Sequence, residues 1–126
     1  MMKELIISAI IIVVIVGCNI FVGNFIDDKL DHIISLLDEV IPMLENEEYE
    51  QSSEKINEIN DYLNESESVL SCYIEHDELE KVQSSLTVLS SYVKMESDEA
   101  FCEANDMSFI IKHIKEKDDL KVKNIF

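Results

Sequence analysis

Tryptophan and arginine are missing from this chain of 126 residues, which holds only two glycines and one proline. Gly runs that cradle phosphate and the sharp glycine elbows that expose a catalytic serine are therefore excluded. So few breakers over this length predict long helices. Basic residues are scarce: ten Lys face 27 Asp and Glu, a formal net charge of -17. A surface of that sign repels phosphodiester backbones, so nucleic acid is not expected as a partner. Three cysteines set up no disulfide framework. Cys72 and Cys102 stay open either as a pair or as two small apolar helix residues.

What is present begins with Leu5 to Ile26, LIISAIIIVVIVGCNIFVGNFI, which carries no charge. As a helix it is about 33 Å long, enough for a hydrocarbon core of roughly 30 Å. Lipid offers the backbone no hydrogen-bond partner, so a helix is required. Leu5, Ile10, Val14, Phe21 and Ile26 mark this membrane anchor. Gly17 and Gly23 are not four apart and define no GxxxG face. Lys3 precedes the span, whereas Asp27 and Asp28 follow it. The positive-inside tendency then places the N-terminus in the cytoplasm, with almost nothing but Met1 to Glu4 inside, and the remainder outside. A second reading stays open. Ile15-Val16-Gly17-Cys18 resembles a bacterial lipobox with Cys18 as the lipidated residue, although the apolar run continues past it to Ile26. The division expected is an anchor or lipoprotein signal over residues 1–26 and an acidic extracytoplasmic domain over residues 27–126.

That second part reads as helices. Leu30, Ile33, Ile34, Leu37, Val40, Ile41 and Leu44 form one apolar stripe, continuous with the span. Pro42 is expected to kink or end this helix near Val40, with a short extra turn at Met43 and Leu44. Asn46-Glu47-Glu48 reads as a turn. A second stripe runs through Tyr49, Ser52 or Ser53, Ile56, Ile59, Tyr62 or Leu63, Ser66, Val69 and Leu70, ending near Ile74. Asp77 is expected to cap a third helix, with Glu80 three residues on as in a capping box. Leu79, Val82, Leu86, Leu89 and Val93 follow at heptad spacing. Glu96-Ser97-Asp98 makes the next turn, Ser97 or Asp98 capping a fourth helix. Its core face is Ala100, Ala104, Met107, Ile111 and Ile114, widened by Phe101 and Ile110. From Asp118, alternation of Leu120 and Val122 with Lys121 and Lys123 suggests an extended tail whose end, Ile125-Phe126, docks on the bundle.

Each stripe needs a partner, so the expected fold is all-α: a transmembrane helix followed by an antiparallel up-down bundle of about four helices. That topology brings Lys112, Lys115, Lys117, Lys121 and Lys123 back toward the bilayer. They would touch anionic headgroups or neutralise the acidic second helix or a helix C-terminus.

The stretch Glu75-His76-Asp77-Glu78-Leu79-Glu80, then Val82, Leu86, Leu89 and Tyr92, with a closing Lys123-Asn124-Ile125-Phe126, resembles the domain-of-unknown-function family 4363. The resemblance implies a small bacterial protein with one N-terminal membrane helix and a helical extracytoplasmic region, and it implies no catalytic residues. Members are commonly encoded beside a polytopic membrane protein, which implies a membrane partner. Where that family often carries Trp in its second helix, this chain has Tyr49 and Tyr62.

No motif for chemistry stands out. Di-iron bundles use Glu-x-x-His, but the positions three before His32, His76 and His113 hold Lys29, Tyr73 and Ile110. EF-hand, HExxH and CxxC patterns are missing, so no cofactor or metal is expected. His76 beside Asp77 reads either as a pH-sensitive contact or as a ring packed at the turn. The expected function is a non-enzymatic, membrane-anchored interaction or accessory module for another membrane protein, homo-oligomerisation remaining open. Candidate interaction residues are His76, Asp77, Lys112, Lys115, Lys117, Asn124, Ile125 and Phe126. The alternative is a ligand- or divalent-cation-binding extracytoplasmic bundle.

Overall fold

In the computed structural model the backbone is described for residues 1–125 and the side chains for residues 1–117. Four helices follow one another: α1 (Met2–Glu45), α2 (Tyr49–Tyr73), α3 (His76–Lys94) and α4 (Glu99–Ile125). Links of two to four residues between successive helices make sequence neighbours pack antiparallel. α1 packs on α2 and α4, and α3 packs on the same two, so the bundle closes as a ring with α1 diagonal to α3.

α1 does two jobs along one unbroken helix. Its first half is bare: Leu5, Ile10, Val14 and Phe21 are all exposed. Burial starts at Gly23 and Ile26, and from there the helix forms one wall of the core. Among the described residues one helix, near the N-terminus, is therefore long and apolar enough to cross a membrane. Ile26, read from sequence as the last anchor residue, is completely buried and is a core residue of the bundle.

The apolar stripes meet as their spacing requires. Leu30, Ile33, Leu37, Val40 and Leu44 bury against Ile56, Ile59, Leu63 and Leu70 of α2 and the Ala100–Ile114 face of α4. Leu79, Val82, Leu86, Leu89 and Val93 of α3 complete the core. Of the alternatives at two positions, Ser52 and Leu63 are the buried ones, while Ser53 and Tyr62 are half-buried. Leu36 is buried although it lies off the stripe, because α1 is clamped by two neighbours and buries a wider arc. Ile74 closes the end of the bundle in the extended link after α2.

Three expectations are corrected. Pro42 neither ends nor interrupts α1, which runs on to Glu45. The proline is exposed and lies in the last turn, where the carbonyl it strands can face water. The α3 start is two residues earlier than the capping-box reading: Glu75 takes the N-cap place without a side-chain cap bond, and Asp77 lies in the first turn beside the positive end of the dipole. The C-terminal tail is not extended, since α4 continues to Ile125. Two alternating residues cannot override a segment of good helix formers with no Gly or Pro. Ile125 and Phe126, expected to dock on the bundle, lie outside the described side chains, as does Asn124.

Scarcity of glycine shows in the turns. After α1 and after α3 the chain takes one left-handed step, at Glu47 (φ 60) and Glu96 (φ 52). Both steps close the same hydrogen-bond pattern: the Glu48 N–H donates to the Met43 carbonyl at 2.8 Å, and the Ser97 N–H donates to the Tyr92 carbonyl at 2.9 Å. This is the helix-ending arrangement that usually takes glycine. Glutamate there costs about 1–2 kcal/mol per residue. Ser97 also accepts the Glu99 N–H on its side-chain oxygen at 3.2 Å, as expected for a cap of α4.

Candidate functional site

Where α1 enters the bundle, its neighbours form a cluster of rings around one cation. Lys29 Nζ lies 4.8 Å from the Phe25 ring centroid and 5.3 Å from that of Tyr62. It donates to Ser66 Oγ at 3.4 Å. His32 meets Tyr62 from the same helix face, with ring centroids 4.3 Å apart and the planes tilted by 49°. Burial pushes the Tyr62 hydroxyl above its ordinary pKa. Tyrosine and lysine with apolar bodies and polar tips suit the boundary between hydrocarbon and water, and here they sit where the bare half of α1 meets the core.

Two described lysines of α4, Lys115 and Lys117, are brought to that same end. Lys115 pairs with Asp31 of α1. Lys117 Nζ sits 2.9 Å from Glu78 and 3.8 Å from Glu75, at the start of α3. For these two, the acidic partners are on α1 and at the start of α3 and not on the second helix, since α4 packs between α1 and α3 with α2 diagonal to it. Lys112 is exposed. Lys121 and Lys123 lie outside the described side chains. His76 is fully outward, its side chain 90% exposed, with Nε2 3.9 Å from Glu80. Asp77 is exposed beside it. Of the expected residues that are described, His76, Asp77 and Lys117 stand round the start of α3 and the stretch of α4 that meets it, not in one pocket.

Cys18, Cys72 and Cys102 are all exposed free thiols. Cys72 ends α2 and Cys102 begins α4, two diagonal helices, which places the thiols at opposite ends of the bundle and rules out a bridge between them. Among the described residues no three His, Cys, Asp or Glu side chains converge as metal ligands do.

Lys117, Lys55, Tyr92 and Tyr49 are all shifted upward. The Glu78 hydrogen bond, then the charge of Glu75, raises the Lys117 ammonium. Glu39 does the same for Lys55, which it meets at 3.0 Å. A hydrogen bond to Glu99 raises Tyr92, and desolvation followed by the charge of Asp98 raises Tyr49. In each case the fold favours the protonated form. That contribution is complete below the unfolded pKa of about 10 for tyrosine and about 10.4 for lysine, and it is lost as pH rises through the raised values. The melting temperature should therefore be level toward pH 10 and fall above it, and Lys117→Met should flatten part of that fall. Thermal unfolding followed by circular dichroism between about pH 8 and pH 12 checks this.

Sequence reasoning passed over Phe109 and Val88. Both are apolar residues off the core stripes, 74% and 40% exposed. The signal was available: at 100° per residue Phe109 stands about 200° from Met107 and from Ile111, on the face that water should own. Together with Ile110 they line an open groove between α3 and α4.

No curated protein and no solved structure matches the chain. The profile of one family does match, over residues 20–125, from the last turns of the bare helix to the end of α4. Since that match takes in the whole bundle, the chain belongs to the family described as Domain of unknown function (DUF4363).

Proposed function

We propose that this protein is a non-enzymatic, single-pass membrane protein whose helical bundle lies outside the cytoplasm and serves as an interaction or accessory module for another membrane protein. The observation that carries this reading is the continuity of α1: an apolar half with no burial runs without a break into a wall of the core. An anchor joined rigidly to the bundle fixes the height and direction of the bundle's faces above a bilayer, which suits contact with a neighbour in the same membrane. Lys3 before the span and the acidic run from Asp27 after it support an N-terminus in the cytoplasm. The cation and ring cluster around Lys29 supports an interface at the point where the core begins.

Crosslinking of the full-length protein in native membranes, read by mass spectrometry, tests the proposal. One recurrent membrane partner is the expected result. Self-crosslinks alone, or none, would overturn the accessory role. The same spectra address Cys18. Intact full-length mass without a diacylglycerol adduct is expected, and an acylated Cys18 at a new N-terminus would replace the helical anchor by a lipid one.

A further inference from the structure

The outer face of the α3–α4 pair holds an open groove of about 720 Å³. Val88, Phe109 and Ile110 give it an apolar floor, and Glu80, Glu103 and Asp106 stand around it. Lys81 is the one cation among its lining residues. Ser85 Oγ donates to Glu103 Oε1 at 2.7 Å and holds that carboxylate at the edge. An aromatic ring as exposed as Phe109 gains nothing from water, whereas the core beneath it is already complete without it.

We infer that this groove docks a basic amphipathic helix of a partner protein; the inference rests on the accessory-module reading and names its contact surface. Shape comes first. The seam between two antiparallel helices accepts a third helix by packing ridges into grooves, and from Asp77 to Val88 the seam is about 16 Å long, three helical turns. Charge selects among occupants. A second copy of this chain, at -17, would bring its own carboxylates against the rim. Anionic lipid headgroups are repelled in the same way. A helix with an apolar stripe flanked by Lys or Arg matches both the floor and the rim. Height fits as well. Lys115 reaches Asp31 and Lys117, further down α4, reaches Glu78, which puts the lower end of the groove within about five residues, roughly 8 Å, of the level of Ile26.

The full-length protein in non-ionic detergent is titrated with a labelled synthetic peptide of about 18 residues, Leu at helical spacing and Lys on the flanks. A scrambled peptide of equal composition, without the stripe, is the control. Saturable binding to the ordered peptide is expected. Phe109→Ser should weaken it at least about tenfold, and Glu80→Lys with Asp106→Lys should do the same at low salt. All three positions are exposed, so unchanged circular dichroism shows that the variants still fold. Equal binding of the scrambled peptide, or indifference to Phe109→Ser, overturns the inference, because general attraction to an acidic surface would then suffice. In native membranes a photoreactive residue in place of Val88 should give a partner adduct that the ordered peptide displaces. A self-adduct or a lipid adduct there overturns the inference. Partner crosslinks from α1 that survive all groove variants also overturn it, while leaving the accessory role standing. Absence of any partner crosslink overturns the accessory role instead, and the peptide titration alone then decides the groove.

Discussion

Replacing Leu37 by alanine should cost about 2–5 kcal/mol and shift the urea midpoint down by at least about 1 M. Leu37 has no exposed surface and lies in the half of α1 that forms a wall of the core. Truncation removes the transfer free energy of its methyl groups and leaves a cavity between helices that cannot all close on it at once. A bundle of this size has about 5–15 kcal/mol in total, so one such change takes a large share. Ile34→Ala on the same helix is the internal comparison. Ile34 is only half-buried and packs against the rim of the core, so its loss should be clearly smaller. Urea unfolding of both variants, full length in non-ionic detergent and followed by circular dichroism, measures the difference. Equal midpoints for Leu37→Ala and the parent chain would mean that α1 does not form a wall of the core.

That comparison depends on a core most of which could be read from residue spacing. The seven positions of the α1 stripe and the five of α3 are buried or half-buried as their period requires, since in a chain with so few breakers the helical period goes uninterrupted. The errors have local causes. Pro42 has the chemistry of a breaker, but it falls in the last exposed turn, where the one carbonyl it strands, that of the exposed Asp38, can face water. Leu120 and Val122 mimic strand alternation over too short a stretch to overcome helix propensity. Asp77 has the chemistry of a cap, yet the chain turns helical one residue before it. Candidate contact residues were less legible for a deeper reason. Lys115 and Asp31 lie 84 positions apart, and only the packing order of the helices decides that α4 serves α1 and α3 rather than α2. Phe109 is the opposite case: its exposure follows from the wheel alone, but a wheel does not reveal that Val88 stands across the seam from it.

The largest effect expected anywhere in the chain concerns the bare half of α1. Ile12→Lys with Ile15→Lys places two ammonium groups near the middle of the proposed span. Both isoleucines are exposed and neither supports the core, so the bundle should stay folded. Each lysine at a helix centre costs about 2.5–3.5 kcal/mol on insertion, and each lost isoleucine removes a further few tenths. Two together amount to roughly 6 kcal/mol, which lowers the inserted fraction by about four powers of ten at equilibrium. Snorkelling reduces the effect near the ends of a span, which is why central positions are chosen over Leu5 or Phe21. The variant is best made together with Cys18→Ala, so that no lipid route to the membrane remains. After carbonate washing, the parent chain and the Cys18→Ala chain should stay with the membrane pellet, and the lysine variant should appear in the soluble fraction with the helical content of its bundle intact. If the lysine variant still pelleted, with its bundle folded and unaggregated, α1 would not be the anchor. The continuity of one helix from bilayer to core would then lose its functional meaning, and attachment would have to come from the bundle surface, where the acidic face makes an anionic bilayer an unfavourable neighbour.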